Sequence, residues 1–98
     1  MSYTVRLRPE AEQDLRSAAA WYERQQAQLG QEFLDEFVKV RVTLAETPLI
    51  YAAIYRKTHR VVLNRFPFGV FFRVEAHEVV IVAIMHGSRH PTRWHGRT

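Results

Sequence analysis

The chain has 98 residues, 47% of them hydrophobic and 12% aromatic, which suits one domain spanning residues 1–98 with one modest core. It has no cysteine, which excludes disulfides and thiolate zinc sites. No run approaches the roughly 18 apolar residues of a transmembrane helix, and residues 1–6 lack the apolar stretch of a secretory signal, so a soluble cytoplasmic protein with no membrane partner is expected. The formal charge of +4 divides unevenly: residues 1–55 hold six Lys/Arg against eight Asp/Glu, net −2, and residues 56–98 hold eight against two, net +6, with all five histidines. A basic half points to a phosphate-bearing or acidic partner.

Residues 3–8 alternate with the period of a strand. Pro9 then fits the first position of a helix, and Glu10, Glu12 and Asp14 sit where the N-terminal dipole favours acids. Ala11, Leu15, Ala18, Tyr22 and Leu29 recur at helical spacing, Trp21 and Tyr22 are expected to pack the helix, and Gly30 suits its C-terminal cap. A second helix follows through Phe33, Leu34, Phe37, Val38, Arg41, Leu44 and Ala45, with Asp35 and Lys39 placed to pair, and Thr47-Pro48 stops it. The short turn at Gly30 sets the two helices antiparallel.

Residues 49–58 read as a loop with a short helical turn. Residues 59–66 are strand-like, and Phe66-Pro67-Phe68-Gly69 is a turn or strand change. Residues 70–75 alternate, placing Val70, Phe72 and Val74 on one face and Phe71, Arg73 and Glu75 on the other. Ala76-His77 suits a two-residue hairpin loop. Residues 79–85 are continuously apolar, as in a central strand covered on both faces. The tail, residues 86–98, is polar and basic, broken by Gly87, Pro91 and Gly96. The expected fold is α+β: an N-terminal strand, an antiparallel helical hairpin, then a three-stranded antiparallel meander (β-α-α-β-β-β) in a two-layer sandwich.

No P-loop, GxGxxG or GxSxG element is present. His86 and His90 are four apart, but Gly87 and Pro91 break any helix between them and no third ligand has a defined spacing, so neither a metal nor a cofactor is expected. What remains is Arg60, Arg65, Arg73, His86, Arg89 and His90. Arginine grips phosphate through a planar fork and histidine moves protons near neutral pH. Such a set can cleave RNA without a metal: one group takes the proton of a 2′-OH, another protonates the leaving 5′-oxygen, and arginines offset charge on phosphorus. The same residues equally suit docking of an acidic protein. Trp94, an indole in a polar tail, is a candidate partner contact.

The segments Ala11-Glu12-Gln13-Asp14-Leu15, Trp21-Tyr22, Leu29-Gly30-Gln31-Glu32-Phe33, Arg65-Phe66-Pro67-Phe68-Gly69-Val70-Phe71-Phe72-Arg73-Val74 and His86-Gly87-Ser88-Arg89-His90-Pro91, with Pro48 between them, resemble in order and separation the RelE/ParE superfamily of type II toxins. The resemblance covers nearly the whole chain. It implies a growth-inhibiting toxin neutralised by a cognate antitoxin, with DNA reached only through that antitoxin. RelE-like members cut mRNA in the ribosomal A site, which would make Arg65, Arg89, His86 and His90 the catalytic set. ParE-like members inhibit DNA gyrase without nuclease chemistry, which would make Arg60, Arg65, Arg73, Arg89 and Trp94 partner contacts. No tyrosine follows Tyr55, where RelE-like sites often carry one. The Trp-Tyr helix, the Leu-Gly-x-x-Phe hairpin and the Phe-Pro-Phe-Gly-Val strand resemble the ParE side.

Overall fold

A computed structural model, which describes residues 2–97, gives the order β1 (Thr4–Leu7), α1 (Pro9–Gln25), α2 (Leu29–Glu46), a 3-10 turn (Pro48–Ile50), β2 (Ala53–Tyr55), β3 (Thr58–Val62), β4 (Phe68–Glu75), β5 (Glu78–His86) and α3 (Thr92–His95). The strands form one sheet ordered β1-β5-β4-β3-β2. This is the expected α+β arrangement, with β2 and α3 added. The stretch read as a loop contains β2, which pairs antiparallel with β3 through a bulge; three residues are too few to display a strand's period. β1 closes the other edge by running parallel to β5, Thr4 opposite Glu78 and Leu7 opposite Ile81.

The helical hairpin turns differently from its sequence reading. α1 stops at Gln25, and the left-handed residue before α2 is Gln28, at φ 78°. Gly30 is therefore not the cap of α1 but the second residue of α2. Its value is close approach: a Cβ there would lie 2.5 Å from the carbonyl oxygen of Ala19. The Glu23 carboxylate on α1 accepts the N–H groups of Gln28 and Gly30, each at 3.0 Å. It thereby serves the unpaired donors at the start of α2 and pins the hairpin.

The helices cover one face of the sheet. Ala11 and Ala19 of α1, with Phe33, Phe37 and Leu44 of α2, bury against Val70, Phe72, Val79 and Ile81. At one end Tyr22 meets Phe33, Phe66 and Phe68 at ring distances of 4.9–5.9 Å. The far face has a smaller core of Phe71, Val80, Val82 and Ala83, closed by Trp94. A bulge in β5 shapes both. Phe71 stands opposite Ala83 and Phe72 opposite Ile81, so Val82 and Ala83 both serve the far face and Ile84 returns to the helix face. One extra residue inverts the alternation midway along the strand, and a continuously apolar run conceals such a shift.

Candidate functional site

The bulge leaves Ile84 N–H and Val82 C=O to be paired beyond the end of β1. Asp14 on α1 accepts the Ile84 N–H at 3.0 Å, and Arg97 Nη1 donates both to Asp14 Oδ2 at 2.6 Å and to the Val82 carbonyl at 3.2 Å. An Arg8 guanidinium nitrogen donates to the Arg97 carbonyl. At the other end of the tail, Gly87 N–H donates to Pro67 C=O at 2.7 Å. Residues 86–97 are thus a strap, tied at both ends, that crosses the far face through α3. The polar tail of the sequence reading is an ordered part of the fold.

Trp94 is accordingly a core residue rather than a partner contact: it is 6% exposed, stacks on Phe71 at 4.5 Å and meets Tyr55 edge-on at 5.7 Å. Its pocket is built by β2 and β4, so a tail read in isolation gives no sign of it.

Two grooves flank the strap. The smaller, about 360 Å³, lies on the far face between Arg60, Phe71, His86, Arg89 and Trp94. The larger, about 670 Å³, lies between α1 and the strap, walled by Trp21 and Arg24 on one side and His86, Arg89 and Arg93 on the other, with Tyr22, Phe68 and Ile84 among its apolar lining. His86 and Arg89 line both and form the ridge between them. Trp21, expected to pack the helix with Tyr22, is instead exposed in this groove; Arg24 and Arg93 are not singled out by sequence, because which face α1 turns to the tail is a tertiary fact.

The other expected residues divide. Arg65 lines neither groove. It adopts φ 72° and pairs with Glu32 on α2 at 2.6 Å, a hydrogen bond and charge that raise the pKa of its guanidinium. Arg65 thus shares no groove with Arg89, and Arg60 stands beside Arg89 instead: its stem lies over Gly69, 3.2 Å from where a Cβ would sit. Arg73 is half-buried and paired with Glu75 at 3.5 Å. His86 Nδ1 accepts the Ser88 N–H at 3.0 Å and faces the Ser88 hydroxyl at 2.8 Å, so the neutral ring carries its proton on Nε2. His90 Nδ1 accepts the Thr92 N–H at 3.2 Å, a contact at the start of α3.

The electrostatics are one-sided. The two carboxylates of the basic half, Glu75 and Glu78, sit at the β4–β5 turn and pair with Arg73 and Arg6. Around the strap, Arg24, Arg60, Arg89 and Arg93 have no ion pair among the described residues. Among the described residues no group of three or more His, Asp or Glu could hold a metal ion, and no helix is long and apolar enough to cross a membrane.

The last strand of this fold thus meets a basic strap whose arginines Arg89 and Arg93 have no ion pair among the described residues. The chain belongs to the family described as ParE toxin of type II toxin-antitoxin system, parDE, whose profile matches residues 5–91, and it is the toxin of such a system. Among solved structures it is similar to one titled as the chromosomal ParDE toxin–antitoxin system from P. aeruginosa, at 19% identity and TM-score 0.75, covering 87% of this chain and 96% of that one. It is also similar to a chain of the toxin–antitoxin complex RelBE2 from Mycobacterium tuberculosis, at 22% identity and TM-score 0.65, covering 88% and 99%. At these identities the likeness shows the fold. No curated protein matches the chain.

Proposed function

We propose that this toxin arrests growth by inhibiting DNA gyrase and is held inactive by a cognate antitoxin. The observation that carries the docking reading is the ridge of Arg89 between two grooves, with Arg60 and Arg93 on either side and, among the described residues, no ion pair on any of them. Exposed unpaired arginines on a fixed scaffold recognise acidic protein surfaces and steer association. The supposed nuclease set is dispersed: Arg65 is engaged by Glu32 away from both grooves, and His90 Nδ1 is occupied at α3. Arg60 and Arg89 are the principal contacts in this reading, and Arg65 and Arg73 are peripheral to it. The antitoxin would present an acidic, amphipathic C-terminal segment that orders on binding, and DNA would be reached only through it. Solved neighbours that come from ParDE and RelBE2 systems support such a partner.

One arrangement favours a second reading, a RelE-like ribosome-dependent mRNA endonuclease. His86, with its ring N–H on Nε2, shares the smaller groove with Arg60 and Arg89, a hydrogen-bond donor beside two phosphate-binding groups. Purified toxin added to gyrase supercoiling, and in parallel to a translating mRNA read by primer extension, separates the two. Loss of supercoiling with intact message is the expected result; cleaved message with unimpaired supercoiling overturns the gyrase reading.

A further inference from the structure

We propose that the larger groove, between α1 and the strap, is a nucleotide site that takes a base against Trp21 and phosphates against Arg89 and Arg93. Its volume of about 670 Å³ lies within the roughly 300–1,000 Å³ of small-molecule sites. Trp21 lines it and is 52% exposed, held edge-on against Tyr22 at 5.1 Å, so a broad indole surface is left available on a rigid helix. Indole is a general stacking platform for bases, because every base has a π-face. Arg24, one helical turn beyond, and Arg89 and Arg93 on the opposite wall have no ion pair among the described residues. The one carboxylate lining the groove, Asp14, is engaged by Arg97 and by the Ile84 N–H, so nothing there neutralises those three cations. Guanidinium forks match phosphate oxygens in pairs.

The shape favours a compact ligand over a peptide. Along α1 the groove runs from Asp14 to Arg24, about 15 Å at 1.5 Å per residue, and the Asp14–Arg97 pair stands across its first end. A free nucleoside triphosphate and the end of a single strand share this base-plus-phosphate chemistry. Either would compete with an acidic protein for Arg89, so occupancy would tune partner binding. The inference is independent of whether gyrase or the ribosome is the target.

The test is calorimetric titration of the full chain with ATP, pyrophosphate, a short single-stranded oligonucleotide and an oligoglutamate peptide, with Trp emission followed in parallel; Trp94 is buried, so quenching reports Trp21. ATP is expected to quench saturably and to bind about tenfold more tightly than pyrophosphate. Trp21→Leu should erase that advantage and leave pyrophosphate binding unchanged. Arg93→Gln should weaken both about tenfold, with thermal melting confirming that each variant is folded. An oligonucleotide that binds more tightly than ATP, with the same dependence on Trp21, supports the site and assigns it to a strand end. Equal binding of ATP and pyrophosphate, an absence of saturable quenching, or saturation by oligoglutamate alone overturns the proposal.

Discussion

Gly30 and Ala19 set the distance between the two helices: a Cβ on Gly30 would stand 2.5 Å from the Ala19 carbonyl oxygen, a separation that real Cβ atoms do not adopt. The obstacle is backbone inside a helix, so relief requires α1 and α2 to move apart. Gly30→Ala is expected to destabilise by about 1–3 kcal/mol, the range for overpacking, despite alanine's better helix propensity. Urea denaturation measures it. A variant as stable as the parent would show that the hairpin yields at this point.

Trp94 joins the tail to the fold through Phe71. Trp94→Ala should cost about 3 kcal/mol, near the low end for a buried aromatic because a tail can relax. Trp94→Phe should recover part of it through the retained stack. The same substitution should free the strap, and limited proteolysis should then cut within residues 87–97. If Trp94→Ala melts with the parent, α3 does not close the far face in solution.

Arg89 and Arg65 are expected to part company. Arg89→Ala changes an exposed residue and should alter stability by less than about 0.5 kcal/mol, yet cost about 2–5 kcal/mol of gyrase binding where its partner charge is buried in the complex. Arg65→Ala loses its Glu32 pair and should leave gyrase binding within about threefold of the parent, since rim charges contribute little. Toxicity in cells without antitoxin, together with binding to gyrase, reads both. A folded Arg89→Ala chain with parental toxicity removes Arg89 from the site. A folded, non-toxic one that still binds gyrase as the parent does shifts the weight to the nuclease reading.

Tyr22 gives the fold an alkaline limit. Burial pushes its phenol above the ordinary value, which is about 10. The neutral phenol is the form the fold favours, so this contribution is complete below the ordinary value and is lost as pH rises through the folded one. Melting temperature should fall more steeply above about pH 10 in the parent than in Tyr22→Phe. Identical slopes would remove Tyr22 as the cause.

The sequence exposed those features whose signal is local. Pro9 with Glu10 and Glu12 marks the start of α1, the alternation from Val70 to Glu75 assigns both faces of β4, and the apolar run at 79–85 identifies a strand covered on both faces, which the sheet places beside its edge rather than at its centre. What stayed hidden depends on distant partners. Trp94 reads as exposed because Phe71 and Tyr55 lie 23 and 39 positions away. Gly30 reads as a cap because the clash that demands it comes from Ala19 on the other helix. At the site, the arginine content was legible and its partition was not: only the fold shows that Glu32 claims Arg65 while Arg60 and Arg89 face the same groove.

β1 pairs with residues 78–81, and Arg97 reaches back to Asp14 and Arg8. The interior strand β5 therefore takes one neighbour from residues 4–7, and the bulge takes its latch from the last described residues. Such contacts join residues 74 to 89 positions apart, and non-local topology slows folding. On the ribosome, the hairpin of α1 and α2 can form while β5 is still being made, but the strap's ridge of Arg89 cannot be positioned until residues 78–97 have emerged. In the gyrase reading, the docking surface is therefore completed only after the helical hairpin that supports it.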